Sequence, residues 1–230
     1  MAETENNQGG ARTQSETATV SELQRALVMK YVSEFGNKVE PAEIGPRPSQ
    51  EPAPVSFSQQ QVWLHAQMAC DIPFYNQAMT IYRRGSLDVA VLERCLLEMI
   101  RRHEIWRTTF DVIRDEPVQI VQPALKQFPW KVINLSALPE AEREREALRL
   151  ATEDVRRPFD LKTGPLLRAL LISFDDQHHR LYMTFHHLVF DGVTAYEILL
   201  PELEKLYEAF SAGKPSPLPE PTLQYADFAY

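Results

Sequence analysis

The sequence predicts a mixed α/β sandwich, with helices flanking a mixed, largely antiparallel sheet, and three observations predict it. Segments with helical apolar spacing alternate with segments whose apolar residues run as strands. Two pairs of strand-like runs, 106–113 with 117–121 and 166–174 with 179–187, are joined by short polar turns. The 230 residues are 44% apolar and 24% charged, which is enough to bury a sizeable core.

Residues 1–18 are polar, carry Gly9-Gly10 and hold almost no large apolar side chains. They cannot offset their ordering entropy and are expected to be a disordered tail. Over 19–36 the pattern changes: Val20, Leu23, Leu27, Tyr31 and Phe35 recur at three- and four-residue steps, with Ser21 and Gln24 spaced as a capping box and Gly36 as a stop. This is one amphipathic helix whose apolar stripe needs a partner, either its own domain or another protein. Pro41, Pro46, Pro48 and Pro52 then punctuate 37–53, which reads as a semi-extended linker. The main domain is expected over 54–230.

Within that domain, 56–69 suits a helix with Val62, Leu64, Ala66 and Met68 partly buried, and 74–83 is strand-like. Residues 88–103 form a helix with Leu92, Cys95, Leu96, Met99 and Ile100 on one face. The strands 106–113 and 117–121 flank Arg114-Asp115-Glu116 as a hairpin, and 130–135 is a further strand. The charge-laced helix 139–156 turns mainly Leu148 and Ala151 inward. The strands 166–174 and 179–187 flank Asp175-Asp176-Gln177, with His178-His179 at the turn. A long helix, 193–212, is kinked by Pro201 and ended by Gly213. Pro215, Pro217, Pro219 and Pro221 mark a second linker before 223–230.

Several function classes fall away at this point. A net charge of −8 disfavours general binding of nucleic acid or anionic membranes. The two cysteines, Cys70 and Cys95, lack metal spacing and are too few for a disulfide framework. With no signal peptide and no apolar run of about 18 residues, a cytoplasmic protein is the default expectation. There is neither a G-x-S-x-G nucleophile elbow nor a Gly-rich phosphate loop.

One segment carries chemistry: His186-His187-Leu188-Val189-Phe190-Asp191-Gly192. Two histidines end an apolar strand, and an aspartate and a glycine follow before a helix. Alternation places His187 with Met183 and Phe185, and His186 with Tyr182 and Thr184. A histidine in apolar surroundings stays neutral near pH 7 and can serve as a base. Asp191 can brace the loop by pairing with an arginine, and Gly192 allows a tight turn or a close substrate. On local chemistry alone, the same residues also suit a packed, non-catalytic strand end. A metal site is weaker, because Glu197 lies about a turn and a half into the next helix and no third ligand stands out.

The His-His-x-x-x-Asp-Gly string resembles the signature of condensation domains of non-ribosomal peptide synthetases, shared with the wider chloramphenicol-acetyltransferase-like acyltransferases. Three further segments match that family in order. Ser56-Phe57-Ser58-Gln59-Gln60-Gln61-Val62-Trp63 resembles its first motif, with Gln61 where a basic residue is usual. Arg102-His103-Glu104-Ile105-Trp106-Arg107-Thr108-Thr109-Phe110 is similar to its second, and Tyr225-Ala226-Asp227-Phe228-Ala229-Tyr230 to its fourth. The resemblance runs from about Pro54 to Tyr230. Condensation domains are about twice this long, so the match is to their N-terminal half.

The resemblance implies a chloramphenicol-acetyltransferase-like half-domain that forms amide bonds. An acyl or peptidyl thioester on a donor carrier protein passes to the amine of an aminoacyl thioester on an acceptor carrier. Both substrates ride on 4′-phosphopantetheine arms belonging to the carriers, so the domain binds no cofactor of its own and no metal. His187 is the implied catalytic residue. Asp191 is implied to be structural, with Arg107 as its natural partner, His186 to orient the loop, and Gly192 to line the substrate tunnel. His103 and Glu104 read as a helix cap and a solvated charge, and Trp63 and Trp106 as core. Gly192 after Asp191 argues against the heterocyclising subclass; an epimerisation domain is a further alternative, although Tyr75-Asn76 resembles peptide-bond-forming members. The expected partners are the carriers, the C-terminal half of the domain and, through 19–36, an upstream synthase subunit. A free-standing coenzyme A-dependent acyltransferase and a non-catalytic recruitment module are the alternatives.

Overall fold

The computed structural model describes residues 43–49, 51–69 and 71–230. The expected tail (1–18), the 19–36 helix and the first part of the linker lie outside the described residues. A compact unit spans Ile44–Tyr230.

Two sheets organise this unit. The larger has four strands in the order β2 (Asn76–Arg84), β7 (His178–His186), β6 (Leu167–Ser173) and β5 (Trp130–Asn134). Its pairs are antiparallel except β5 with β6, which is parallel. A mixed, largely antiparallel sheet was the expectation. The smaller sheet pairs β1 (Ala53–Pro54), β4 (Glu116–Val121) and β3 (Thr108–Ile113) in that order, all antiparallel. The β3–β4 turn is tighter than the sequence suggested, because Glu116 already pairs with Ile113. Arg114 and Asp115 both take positive φ (53° and 66°), the handedness that matches the right-handed twist of the flanking strands.

Helices cover both faces of the large sheet. α2 (Val89–Arg102) starts at Asp88, whose side chain accepts from Val91 N, and its predicted face of Leu92, Cys95, Leu96, Met99 and Ile100 is wholly buried. That face packs with Leu203, Leu206 and Phe210 of α4 (Leu200–Ser211) onto Leu171, Leu181, Met183 and Phe185. On the opposite face α3 (Glu140–Arg156) covers Leu170 and Ile172. Alternate residues of β6 thus enter different cores, which explains its uninterrupted apolar sequence.

The α3 register differs from the expected one. Ala147 is buried and Leu148 is exposed, with Ala151 only partly covered. A small side chain lets the helix approach the sheet, while Arg143, on the same stripe, donates to the carbonyls of Leu138 and Ser136. α1 (Phe57–Met68) also differs: Val62 and Ala66 are partly covered, but Leu64 and Met68 are exposed because nothing described packs on that side. His178-His179 belongs to β7 rather than to a turn. There His179 is buried and its Nδ1 meets Ser173 Oγ at 2.9 Å.

Neither proline-rich stretch is a free linker where it is described. Arg47, inside the expected 37–53 linker, inserts its guanidinium between Glu104 (2.7 Å) and Asp227 (2.9 Å), and β1 is already part of a sheet. In the second stretch Leu218 packs on the main core and its carbonyl accepts from Arg102. Glu104 is therefore half of a partly buried ion pair and not a solvated charge. The predicted long helix begins with a widened turn, Thr194–Leu199, in which Leu200 N–H reaches back to Ala195 O. Pro201 has no N–H to offer an α-helical ladder, and the wider turn immediately precedes it. The last helix, α5 (Tyr225–Ala229), is capped by reciprocal bonds between Gln224 and Asp227.

Candidate active site

β7 delivers the histidine pair to one end of the large sheet. His186 is its last residue, and its N–H donates to Leu166 O at 2.9 Å. His187 follows, with its N–H bonded to Tyr75 O at 2.8 Å. The chain then folds under itself because Leu188, Val189 and Phe190 are all buried. Phe190 stacks on Phe185 with 3.9 Å between ring centroids and 5° between planes. This apolar tuck brings the Phe190 carbonyl within 2.7 Å of His187 Nδ1.

That contact fixes the imidazole's tautomer. A carbonyl can only accept, so Nδ1 carries a proton, and in the neutral ring the lone pair is on Nε2. His187 lines an open cavity of about 900 Å³, together with Gln59, Trp106, Phe190, Asp191 and Tyr225. The arrangement offers an oriented imidazole in a cleft large enough for a substrate.

His186 is the converse case. It is 6% exposed, lies between the Tyr75 and Phe159 rings, and opens on a different cavity of about 440 Å³. Its Nδ1 accepts from Leu188 N–H at 3.2 Å, which places its proton on Nε2. Burial, helped by the neighbouring His187, pushes its pKa down to about 4, so it is neutral near pH 7. The expected separation of the two histidines onto opposite faces is what the strand produces.

Asp191 caps the helix after the loop. Its carboxylate accepts from Thr194 N–H at 2.7 Å, and its carbonyl accepts from Ala195 N–H at 3.1 Å. The bond from Thr194 holds this carboxyl below the usual range, assisted weakly by His187. The predicted Arg107–Asp191 pair is not formed. Arg107 instead donates to Gln122 O and lies 3.6 Å from Glu104, closing the turn before β3 onto the end of β4. Each group is engaged locally, Asp191 by a helix N-terminus and Arg107 by a strand end. Gly192 is exposed and outside the cavity lining, its φ is not left-handed, and an added Cβ would meet nothing within 4 Å among the described residues. No steric need for glycine arises within this unit.

Three contributors escaped the sequence reading. Gln59, 3% exposed, reaches from α1 to Leu188 O at 3.2 Å. Tyr75 presents its carbonyl to His187 and its hydroxyl to His65 Nδ1 at 2.8 Å. Glu202 lines the cavity and meets His103 Nε2 at 2.8 Å. Burial alone would raise the Glu202 carboxyl, but His103 and Arg102 outweigh it and keep it below the usual range. The capping spacing Ser56-x-x-Gln59 was a visible signal for Gln59; nothing local marked Glu202. Trp63 and Trp106 are core residues as expected, partly and fully buried, and Trp106 also forms cavity wall. Among the described residues no group of three or more His, Cys, Asp or Glu side chains gathers into a metal-binding cluster, and no helix is long and apolar enough to cross a membrane.

Comparison with known proteins gives consistent matches. A family model described as "Condensation domain" matches residues 49–230. Chondramide synthase cmdD of Chondromyces crocatus is 40% identical over 184 residues, 80% of this chain and 5% of that protein. Phosphinothricin tripeptide synthetase PhsC of Streptomyces viridochromogenes is 36% identical over 94% of this chain and 20% of that protein. The chain thus spans a small part of these relatives. Among solved structures, the X-domain from teicoplanin biosynthesis superposes with a TM-score of 0.70 at 26% identity, covering 81% of this chain and 39% of that one. A variant of the starter condensation domain of rhizomide synthetase, solved with C8-CoA, gives 0.66 at 26% identity, covering 73% and 38%.

Proposed function

Because this chain belongs to the condensation-domain family of non-ribosomal peptide synthetases, we propose that it forms part of an amide-bond-forming site in which His187 acts on the acceptor amine. The observation that carries this reading is the His187 Nδ1–H bond to Phe190 O, which in the neutral ring leaves Nε2 as the acceptor of a residue that lines the cavity. The amine nitrogen attacks the donor thioester carbonyl, the new C–N bond forms and the C–S bond breaks. Nε2 takes the proton that the nitrogen sheds and returns it to the departing thiolate. The attacking amine is neutral, and before attack the same lone pair orients it by accepting its N–H. Both substrates would be tethered to 4′-phosphopantetheine arms of donor and acceptor carriers, which removes most of the entropic cost of bringing them together.

The remainder of a condensation domain would supply the opposite wall of the cleft. Support comes from the solved relatives, of which this chain covers about 40%. Uncovered apolar side chains, Phe57 at 90% exposure and Tyr196 at 72%, are surface of the kind a further subdomain buries. By itself the chain would then turn over poorly. Residues 19–36 would recruit an upstream synthase subunit, and their deletion should reduce transfer from its carrier if so.

The test uses the intact condensation domain containing this chain, with both carriers loaded as thioesters and product followed by intact-protein mass spectrometry. Amide formed by the wild type and largely lost in His187→Ala supports the reading. Product from both demotes His187 to positioning. Silence from a folded, carrier-binding wild type points to a recruitment module, and a requirement for coenzyme A thioester in place of the donor carrier points to a free acyltransferase.

A further inference from the structure

With His187 read as the reactive group, we infer that Gln59 is a positioning residue that holds the histidine loop in its productive geometry. Gln59 stands three residues after the N-cap Ser56. At this place a capping box takes glutamate or glutamine, because only an acceptor oxygen is needed. Gln59 meets that need: its Oε1 accepts from Ser56 N–H at 3.0 Å, while Ser56 Oγ accepts from Gln59 N–H at 3.2 Å. Glutamate would serve equally there, and its charge would suit a helix N-terminus.

The other end of the carboxamide distinguishes the two. Gln59 Nε2–H donates to Leu188 O at 3.2 Å, across 129 positions of sequence, in a setting only 3% exposed to water. Leu188 lies between His187 and Phe190, the two ends of the imidazole–carbonyl bond. Holding its carbonyl fixes the peptide planes of the turn and so the direction of the Phe190 carbonyl that sets the His187 tautomer. A glutamate would bring a carboxylate oxygen against the Leu188 carbonyl, two acceptors facing each other without a proton between them. The loop would have to move, although the helix cap would survive.

The experiment compares Gln59→Glu with Ser56→Ala. In the chain labelled with 15N-histidine, wild-type His187 should show a protonated Nδ1 and a bare Nε2 near pH 8. Gln59→Glu should give a mixture of tautomers. In the intact condensation domain it should lower kcat by about tenfold or more, with KM for the loaded carriers within about twofold, as expected for a defect in alignment. Ser56→Ala should lower the melting temperature by about 3 °C and leave the His187 signature unchanged. A wild-type tautomer in Gln59→Glu overturns the inference, as does a shifted tautomer with unchanged kcat. If His187→Ala keeps full activity the chemical role of His187 falls, while the nitrogen shifts still decide whether Gln59 holds the ring. Should Gln59→Glu not fold, the wild type decides: one Gln59 carboxamide proton exchanging slowly supports the contact, and free exchange of both overturns it.

Discussion

His187 Nδ1 and the carbonyl oxygen of Phe190 are 2.7 Å apart, so a side chain and a backbone group three residues further on close a small ring in the wall of the cavity. The burial of Leu188, Val189 and Phe190 makes that ring rigid, and its bond decides which imidazole nitrogen is free.

It follows that substitutions at His187 separate geometry from chemistry. His187→Asn can still donate an N–H toward the Phe190 carbonyl but offers no basic nitrogen to the cavity. We expect condensation to fall roughly a hundredfold or more in both His187→Asn and His187→Ala, with His187→Asn the more stable of the two. Single-turnover amide formation and denaturant midpoints measure the two effects.

His186 should make stability depend on acid. Its pKa is about 4 when folded, against about 6.5 for an ordinary histidine, so between these values the unfolded chain binds more protons. Stability is intact above pH 6.5 and declines as the pH falls toward 4, by on the order of 3 kcal/mol in all. His186→Asn retains an acceptor for Leu188 N–H without a titrating group. Urea midpoints at pH 7 and pH 4.5 should differ more in the wild type than in this variant.

Arg47 should be among the costliest charges to remove. Its side chain is 4% exposed between Glu104 at 13% and Asp227 at 7%, and Arg47→Met would leave two shielded carboxylates short of their cation. A loss of about 3 kcal/mol is expected. Arg47→Lys should recover only part of it, since an ammonium lacks the fork that spans both oxygens. Chemical denaturation reads both.

The separate anchoring of Asp191 and Arg107 predicts that they do not couple. Asp191→Ala should cost about 1 kcal/mol as a lost helix cap, and Asp191→Asn much less. In a double-mutant cycle with Arg107→Lys, the interaction energy should stay within about 0.5 kcal/mol. A larger value would mean that the two groups meet.

Much of this was legible in the sequence because it is local. The face of α2 from Leu92 to Ile100, the β6–β7 pair and the segregation of His186 from His187 all follow from periods of 3.6 and 2. Several of the misreadings share a source, which is contact between distant parts of the chain. Leu148 has the character of an inward residue, yet closeness to the sheet selects Ala147. Prolines marked 37–53 and 215–221 as linkers, but Arg47, Leu218 and Glu220 are tied down by Glu104, Arg102 and Arg101. Asp191 and Arg107 have complementary charge, and only the fold shows that each is already engaged.

The clasp between Arg47 and Asp227 also bears on how the unit comes into being. These residues are 180 apart in sequence, and Ser56 Oγ is joined to Tyr225 OH at 2.9 Å over nearly the same interval. Contacts of such range give a topology that folds slowly, because a long loop must close before they form. During synthesis at about 5–20 residues per second, the first segments emerge roughly 10–40 s before the helix that secures them. For that interval the clasp is unformed and the future cavity wall is open, so this unit is most exposed to aggregation just before Tyr225–Ala229 leaves the ribosome.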